Sequence, residues 1–195
     1  MKKISIDLDG VVCDFTAKAI PVIRKMFVPD LPADYYQSQW NFSDIVTAEQ
    51  WSHVLEEMLH HHNLWHTIPP HQEAVDAIKE YVDAHGPDSV HFLTARVSAG
   101  ATDPWVSTNY WLRMHGLPDT HTIVVLNAAD KLYAVMDHGI QMHLDDRADT
   151  IELLFNVPGH QAILLDRPWN RLGDLTAHLP RVYSVAEFLM LAELS

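Results

Sequence analysis

Met1-Lys-Lys-Ile-Ser-Ile-Asp-Leu-Asp-Gly-Val-Val-Cys-Asp14 is the stretch on which the reading of this chain turns. Ile4, Ile6 and Leu8 alternate with Ser5, Asp7 and Asp9, the period-2 pattern of a short strand. The strand runs into two carboxylates one residue apart, then Gly10, which lets the chain turn sharply. Period-2 geometry puts Asp7 and Asp9 on the same side of the strand. Two carboxylates beside a turn of free backbone N–H groups suit a hard cation together with a phosphate. A pair of merely solvated aspartates would look the same over so short a stretch, so the rest of the chain has to decide.

Working outward, similar short apolar runs recur between helical patterns. Strands are expected at Lys3–Leu8, Ser89–Leu93, Thr122–Leu126, Gln141–Leu144, Gln161–Leu165 and, with a weaker pattern, Arg181–Tyr183. Asp103-Pro104 supplies an N-cap and a first-turn proline, and Gly116 closes that helix. Ser184-x-x-Glu187 is a capping box for the last helix. Val75, Ile78 and Val82 form an apolar helical face. Alternating β and α elements predict a three-layer, Rossmann-like α/β fold around a parallel sheet.

The stretch from Phe15 to His71 breaks this alternation and is too long for one crossover helix. It carries Trp40, Phe42, Trp51 and Trp65. Thr47-x-x-Gln50 would cap a helix whose apolar positions Trp51, Val54, Leu55, Met58 and Leu59 follow helical spacing. The expectation is a small helical cap at 15–70, inserted after the first strand into a core domain made of 1–14 and 71–195. Most of the aromatics in this insertion are expected to be its own core.

In an open α/β sheet, ligands bind beyond the carboxyl ends of the strands. Those ends read Asp7-Leu-Asp9-Gly10, Leu93-Thr94-Ala95-Arg96, Leu144-Asp145-Asp146-Arg147 and Leu165-Asp166-Arg167-Pro168-Trp169-Asn170, with Lys131 near the start of the helix after the third strand. Several carboxylates, a hydroxyl, a lysine and arginines are thereby gathered around one crevice.

In chain order, Asp7-Leu-Asp9-Gly10-Val11, Thr94, Lys131 and Asp145-Asp146 resemble the four motifs of the haloacid-dehalogenase-like hydrolase superfamily, and the match spans nearly the whole chain. Asp9 resembles the phosphatase branch rather than the dehalogenases. The extended forms through Phe15, Arg96 and Arg147 most resemble the 5′(3′)-deoxyribonucleotidase family. Ala95 departs from that family's pattern, which tends to carry another small polar residue in the vertebrate members.

The resemblance implies a phosphomonoester hydrolase dependent on Mg²⁺ and working through an aspartyl-phosphate on Asp7. Mg²⁺ would be held by the Asp7 carboxylate, the Asp9 backbone carbonyl and an aspartate of the fourth motif. Asp146 is the favoured direct ligand with Asp145 behind it, although the sequence alone lets the two exchange. Asp9 would serve as general acid, then as general base. Thr94, Lys131 and backbone N–H groups near Gly10 and Ala95 would hold the phosphoryl oxygens. Phe15 occupies the place of an aromatic that contacts the nucleoside, and Trp40 and Phe42 are the candidates for base stacking. Arg96 and Arg147 either reach the substrate or pair with nearby carboxylates. The best substrate is a deoxyribonucleoside monophosphate. The alternatives are a phosphatase of another small metabolite, such as a sugar phosphate or flavin mononucleotide, and a catalytically silent phospho-ligand-binding protein.

Composition sets the outer bounds. The 195 residues are 48% hydrophobic and 20% charged, enough for one domain with a modest insertion. A net charge of -13 opposes nucleic-acid polymers, which bind through Lys and Arg contacts to phosphate. A small anionic substrate remains open if a bound cation reverses the field locally. No apolar run has membrane-spanning length. The absence of a signal peptide and the single Cys13 lead to an expected cytoplasmic location. A second copy of the chain, as a homodimer, is the macromolecular partner left open. Cys13 reads as a small packed residue. His62 and His66 stand four apart, as zinc pairs do, but no cysteine accompanies them, and the histidine cluster from His53 to His71 reads as surface. Neither Gly-x-Gly-x-x-Gly nor Gly-x-x-x-x-Gly-Lys occurs, which removes support from dinucleotide and P-loop chemistry.

Overall fold

A computed structural model of the protein describes residues 2–98, 102–119, 121–171 and 176–194. The elements run β1 (Ile4–Ile6), α1 (Phe15–Met26), α2 (Ala48–His61), α3 (Leu64–Thr67), α4 (Gln72–His85), β2 (Val90–Ala95), α5 (Pro104–Met114), β3 (Thr122–Val125), α6 (Asp130–Asp137), β4 (Met142–Asp145), α7 (Ala148–Leu154), β5 (Gln161–Leu165), β6 (Arg181–Val182) and α8 (Val185–Leu194). All six expected strands are present, with ends shifted by up to two residues.

The strands form one parallel sheet in the order β3-β2-β1-β4-β5-β6. β1 lies in the middle and is buried on both faces, as strands of such sheets are. Its Ile4 and Ile6 pack on one face with α4, α5, α8 and the helices of the 15–70 segment. Leu93 and Leu164 pack on the other face with α6 and α7. Fully burying each such side chain contributes roughly 1.5–3 kcal/mol. The chain builds outward from β1 through β2 to β3, then returns to β4 on β1's other side. The crevice at this reversal is where α/β sheets bind ligands.

Local signals hold at the helix starts. Asp103 accepts from the N–H groups of Trp105 and Val106 at 2.7 and 3.4 Å. Thr47 and Gln50 form the reciprocal capping box of α2. At α8, Ser184 Oγ accepts from Glu187 N at 3.1 Å, but Glu187 reaches back to Tyr183 N rather than to Ser184. The pattern expected for α2 buries Trp51, Val54 and Met58. His62 and His66 do not share a helix face. His62 ends α2, 3.4 Å from Glu57, whereas His66 lies on the one-turn α3 with its ring 4.9 Å from that of Tyr110.

A buried histidine makes the fold acid-sensitive. His91 of β2 stacks on His121 with ring centroids 4.4 Å apart, and its Nδ1 is buried without a hydrogen-bond partner. Burial first, then the neighbouring His121, Lys3 and His138, push its pKa from 6.5 down to about 4, with Asp88 opposing. The folded state therefore keeps His91 neutral while the unfolded chain binds a proton. This contribution is fully present above the unfolded value and is lost as pH falls from about 6.5 towards 4. Urea titrations should show a loss over that window smaller by about 2 kcal/mol in His91→Leu than in the parent protein.

Candidate active site

Residues from three strand ends and one helix meet beyond the middle of the sheet. Asp7 follows β1, its N–H donating to Leu144 O at 2.9 Å. Thr94 lies near the end of β2, Asp145 ends β4 with Asp146 next to it, and Lys131 lies in the first turn of α6. Asp7, Thr94, Lys131, Asp145 and Asp146 are all buried. The Lys131 ammonium sits 2.9 Å from Asp7 Oδ1 and 2.7 Å from Asp145 Oδ2.

Charge and burial compete at each of these groups. Burial pushes the Asp7 carboxyl up, with Asp145 and Asp9 adding to the rise, and Lys131 only partly offsets them, leaving its pKa at about 7. Burial also raises Asp146, helped by Asp145 and Asp7, to well above the usual carboxylate range. Asp145 goes the other way, because Lys131 and His143 outweigh its burial. Lys131 is likewise held above its ordinary value by Asp145 and Asp7, against its own burial.

The donor set fits a hard cation. Asp7, Asp145 and Asp146 each offer a carboxylate oxygen, and these atoms lie within 4.8 Å of one another. Asp145 is already engaged at both oxygens, by Lys131 and His143 at Oδ2 and by Arg147 N at Oδ1. Asp146 takes Trp169 Nε1 on Oδ2 at 2.8 Å, while its Oδ1 is buried without a partner. A buried carboxyl oxygen without a partner is costly. Asp146 and Asp7 thus have oxygens that could hold a metal ion, whereas both oxygens of Asp145 are already engaged.

Gly10 makes room for this arrangement. Its φ is +84°, a conformation disfavoured for L side chains, and a Cβ there would stand 2.4 Å from Asp146 Oδ2. Gly10→Ala should displace the Asp146 carboxylate. Calorimetric titration with Mg²⁺ should then show at least about tenfold weaker binding, as for other disturbances around a metal ligand.

The turn after β1 corrects one expectation. The N–H groups from Gly10 to Cys13 are not free to cradle a phosphate. Gly10 N donates to Cys13 O at 2.9 Å, and the N–H groups of Val11, Val12 and Cys13 all close onto Leu8 O. This stretch satisfies those four donors within itself because it is a tight, buried turn. Thr94 Oγ1, buried and without a hydrogen-bond partner, is instead available at the cavity floor beside Lys131.

Above this floor lies a cavity of about 440 Å³. Phe15, Trp40, Trp51, Leu55, Trp65 and Trp169 line it, together with Asp7, Asp9, Ala95, Asp146 and Arg147. Of the two proposed stacking residues, Trp40 lines the cavity and is half-exposed. Phe42 does not; it is fully buried with its ring 5.1 Å from that of Trp51. Its φ of 55° belongs to a tight turn that carries the side chain inward.

The two arginines separate. Arg96 is buried and grips Asp9 with two hydrogen bonds of 2.9 and 2.7 Å, beneath the Trp65 ring and outside the cavity lining. Arg147 lines the cavity, its guanidinium 4.1 Å from the Trp40 ring centroid, and pairs with Asp149. Cys13 is packed against Arg96 and buried. Sequence reasoning missed Trp169 as a partner of Asp146 and Arg167 as a clamp on Gly10, whose carbonyl accepts from Arg167 Nε at 2.7 Å. Their position just past the end of β5 was the available signal.

The profile of a family described as 5′ nucleotidase, deoxy (pyrimidine), cytosolic type C protein aligns with residues 1–192. The chain belongs to that family. Membership makes this nucleotidase-family protein a hydrolase of the phosphatase class. A protein of Halalkalibacterium halodurans provisionally named a nucleotidase is 24% identical over 172 residues, covering 88% of this chain and 83% of its own. Among solved structures, the haloacid dehalogenase-like hydrolase SP0104 of Streptococcus pneumoniae superposes with a TM-score of 0.63 at 13% identity, covering 100% of this chain and 99% of that one. A haloacid dehalogenase-like hydrolase of Bacteroides fragilis gives a TM-score of 0.62 at 9% identity, over 96% of this chain and 100% of the other. At these identities the likeness shows the fold alone. Among the described residues, no helix is long and apolar enough to cross a membrane.

Proposed function

We propose that this nucleotidase-family protein is a cytoplasmic, Mg²⁺-dependent phosphatase of deoxyribonucleoside monophosphates, with Asp7 as its nucleophile. The observation that carries the reading is the convergence of Asp7, Asp146, Thr94 and Lys131 on the floor of one cavity whose roof is aromatic. Floor and roof suit the two halves of a nucleotide: a phosphate end and a planar base held by stacking.

Mg²⁺ held by Asp7 and Asp146, with the Asp9 carbonyl that the family resemblance adds, would offset the repulsion between a carboxylate and a phosphate dianion. The Asp7 carboxylate oxygen attacks phosphorus as the bond to the leaving oxygen breaks, giving an aspartyl-phosphate. Asp9 gives its proton to that leaving oxygen, then takes one from the water that attacks the phosphoenzyme and frees Asp7 and inorganic phosphate. In the structure Asp9 rests on Arg96, so both roles require its carboxylate to turn from the guanidinium towards the substrate. Thr94 Oγ1 and Lys131 Nζ bind the phosphoryl oxygens. The 15–70 segment acts as the cap: it supplies Phe15, Trp40, Trp51 and Trp65 to the cavity and shields the first step from bulk water.

The test is phosphate release from deoxy- and ribonucleoside monophosphates, sugar phosphates and flavin mononucleotide, with Mg²⁺ and with EDTA. Metal-dependent turnover fastest on deoxynucleotides supports the proposal. Metal-dependent turnover fastest on another ester keeps the chemistry and overturns the substrate. No turnover on any ester would overturn the enzymatic role.

A further inference from the structure

A chain of buried polar groups runs from the middle of the sheet to the cavity floor. Alternation along β4 puts His143 and Asp145 on one face, and register pairs His143 with Ser5 of β1. Ser5, His143 and Asp145 are completely buried. Ser5 Oγ lies 2.7 Å from His143 Nδ1, and His143 Nε2 lies 3.3 Å from Asp145 Oδ2, the same oxygen that meets Lys131 Nζ at 2.7 Å.

Hydrogen-bonding roles assign the protons. The Asp145 carboxylate only accepts, so Nε2 carries the hydrogen. A neutral imidazole then leaves Nδ1 to accept from the Ser5 hydroxyl. One tautomer satisfies every group in the chain, and the other would set two lone pairs against each other. An apolar residue would fill this place in the sheet without such demands, since a buried polar group costs free energy unless fully bonded.

We propose that His143 is a positioning residue for phosphoryl transfer: through Asp145 it aims the Lys131 ammonium at the phosphoryl group. This rests on the hydrolase reading above. Lys131 has three N–H donors. Asp145 takes one, Asp7 Oδ1 stands 2.9 Å away as an ion-pair partner, and the direction of the donor left towards the cavity depends on where the Asp145 oxygen is held. His143 and Arg147 N hold that carboxylate from two sides, one at each oxygen. Without His143 the carboxylate can rotate, and a small displacement of a charge aimed at the reacting group lowers the rate steeply.

The experiment combines a spectrum of the wild-type protein with kinetics of two variants. Long-range ¹⁵N–¹H correlation of the imidazoles should show His143 with its proton on Nε2; a proton on Nδ1 would overturn the proposal without any variant. His143→Leu should lower kcat by roughly 10- to 100-fold with little change in KM. His143→Gln, which restores an N–H donor near the place of Nε2, should recover most of that loss. A His143→Leu enzyme as fast as wild type would overturn the positioning role, as would a His143→Gln enzyme as slow as a folded His143→Leu. A wild-type protein that hydrolyses no phosphomonoester would show, in its own arm of the experiment, that the hydrolase reading has failed and this inference with it.

Discussion

Asp7→Asn should cut phosphate release by at least about 10⁴-fold while leaving the protein folded. The amide is nearly the same size as the carboxylate but lacks the charge that makes an oxygen nucleophile. Stability should not suffer, because Asp7 is a buried carboxylate whose pKa burial raises to about 7. Replacing it with a neutral isostere removes a desolvation cost and loses one of two partners of Lys131. Thermal unfolding of the variant should therefore match or exceed that of the parent while steady-state turnover disappears. A variant that is inactive because it is unfolded would fail this prediction.

Lys131→Met should reverse that pattern in stability. Lys131 is the cation shared by Asp7 and Asp145, and all three are almost entirely buried. Methionine fills the apolar stem of the lysine but leaves the carboxylates facing one another without their counter-charge. Removing one partner of a buried ion pair typically costs about 3–5 kcal/mol. Urea unfolding without metal should show a loss of that order, and turnover should fall by about 10²- to 10³-fold as one phosphoryl-binding charge is lost. Added Mg²⁺ should restore part of the stability of this variant by mass action on the native state. A loss of activity with unchanged metal-free stability would contradict the part assigned to Lys131 in the buried charge network.

The sheet was legible in the sequence because β1, β2, β4 and β5 are short apolar runs and helices such as α2 and α5 carry their own side-chain caps. Helix α2 was legible through the Thr47–Gln50 capping box, which forms as read. The floor of the site could be read because Asp7, Thr94, Asp145 and Asp146 sit at strand ends and Lys131 at the start of the helix after β3, where the fold dictates their place. The roof could not. Trp40 and Phe42 are two residues apart on an irregular stretch, and only the chain's turn at Phe42 decides that one faces the cavity and the other the core. The partner of Arg96 was equally hidden: Asp9 is 87 residues away in sequence. The N–H groups after Gly10 looked available because a glycine turn often exposes them; here Leu8 and Cys13 carbonyls take them.

The central claim is that the phosphoryl group passes through the Asp7 carboxylate, and trapping that species tests it most directly. The enzyme, turning over a deoxyribonucleoside monophosphate with Mg²⁺, would be quenched with borohydride, which reduces an acyl phosphate to an alcohol, and its N-terminal peptide sequenced by mass spectrometry. The account predicts homoserine in place of Asp7 in the turning-over enzyme and intact aspartate when substrate is omitted. Intact Asp7 during rapid turnover, or reduction at another carboxylate, would contradict it.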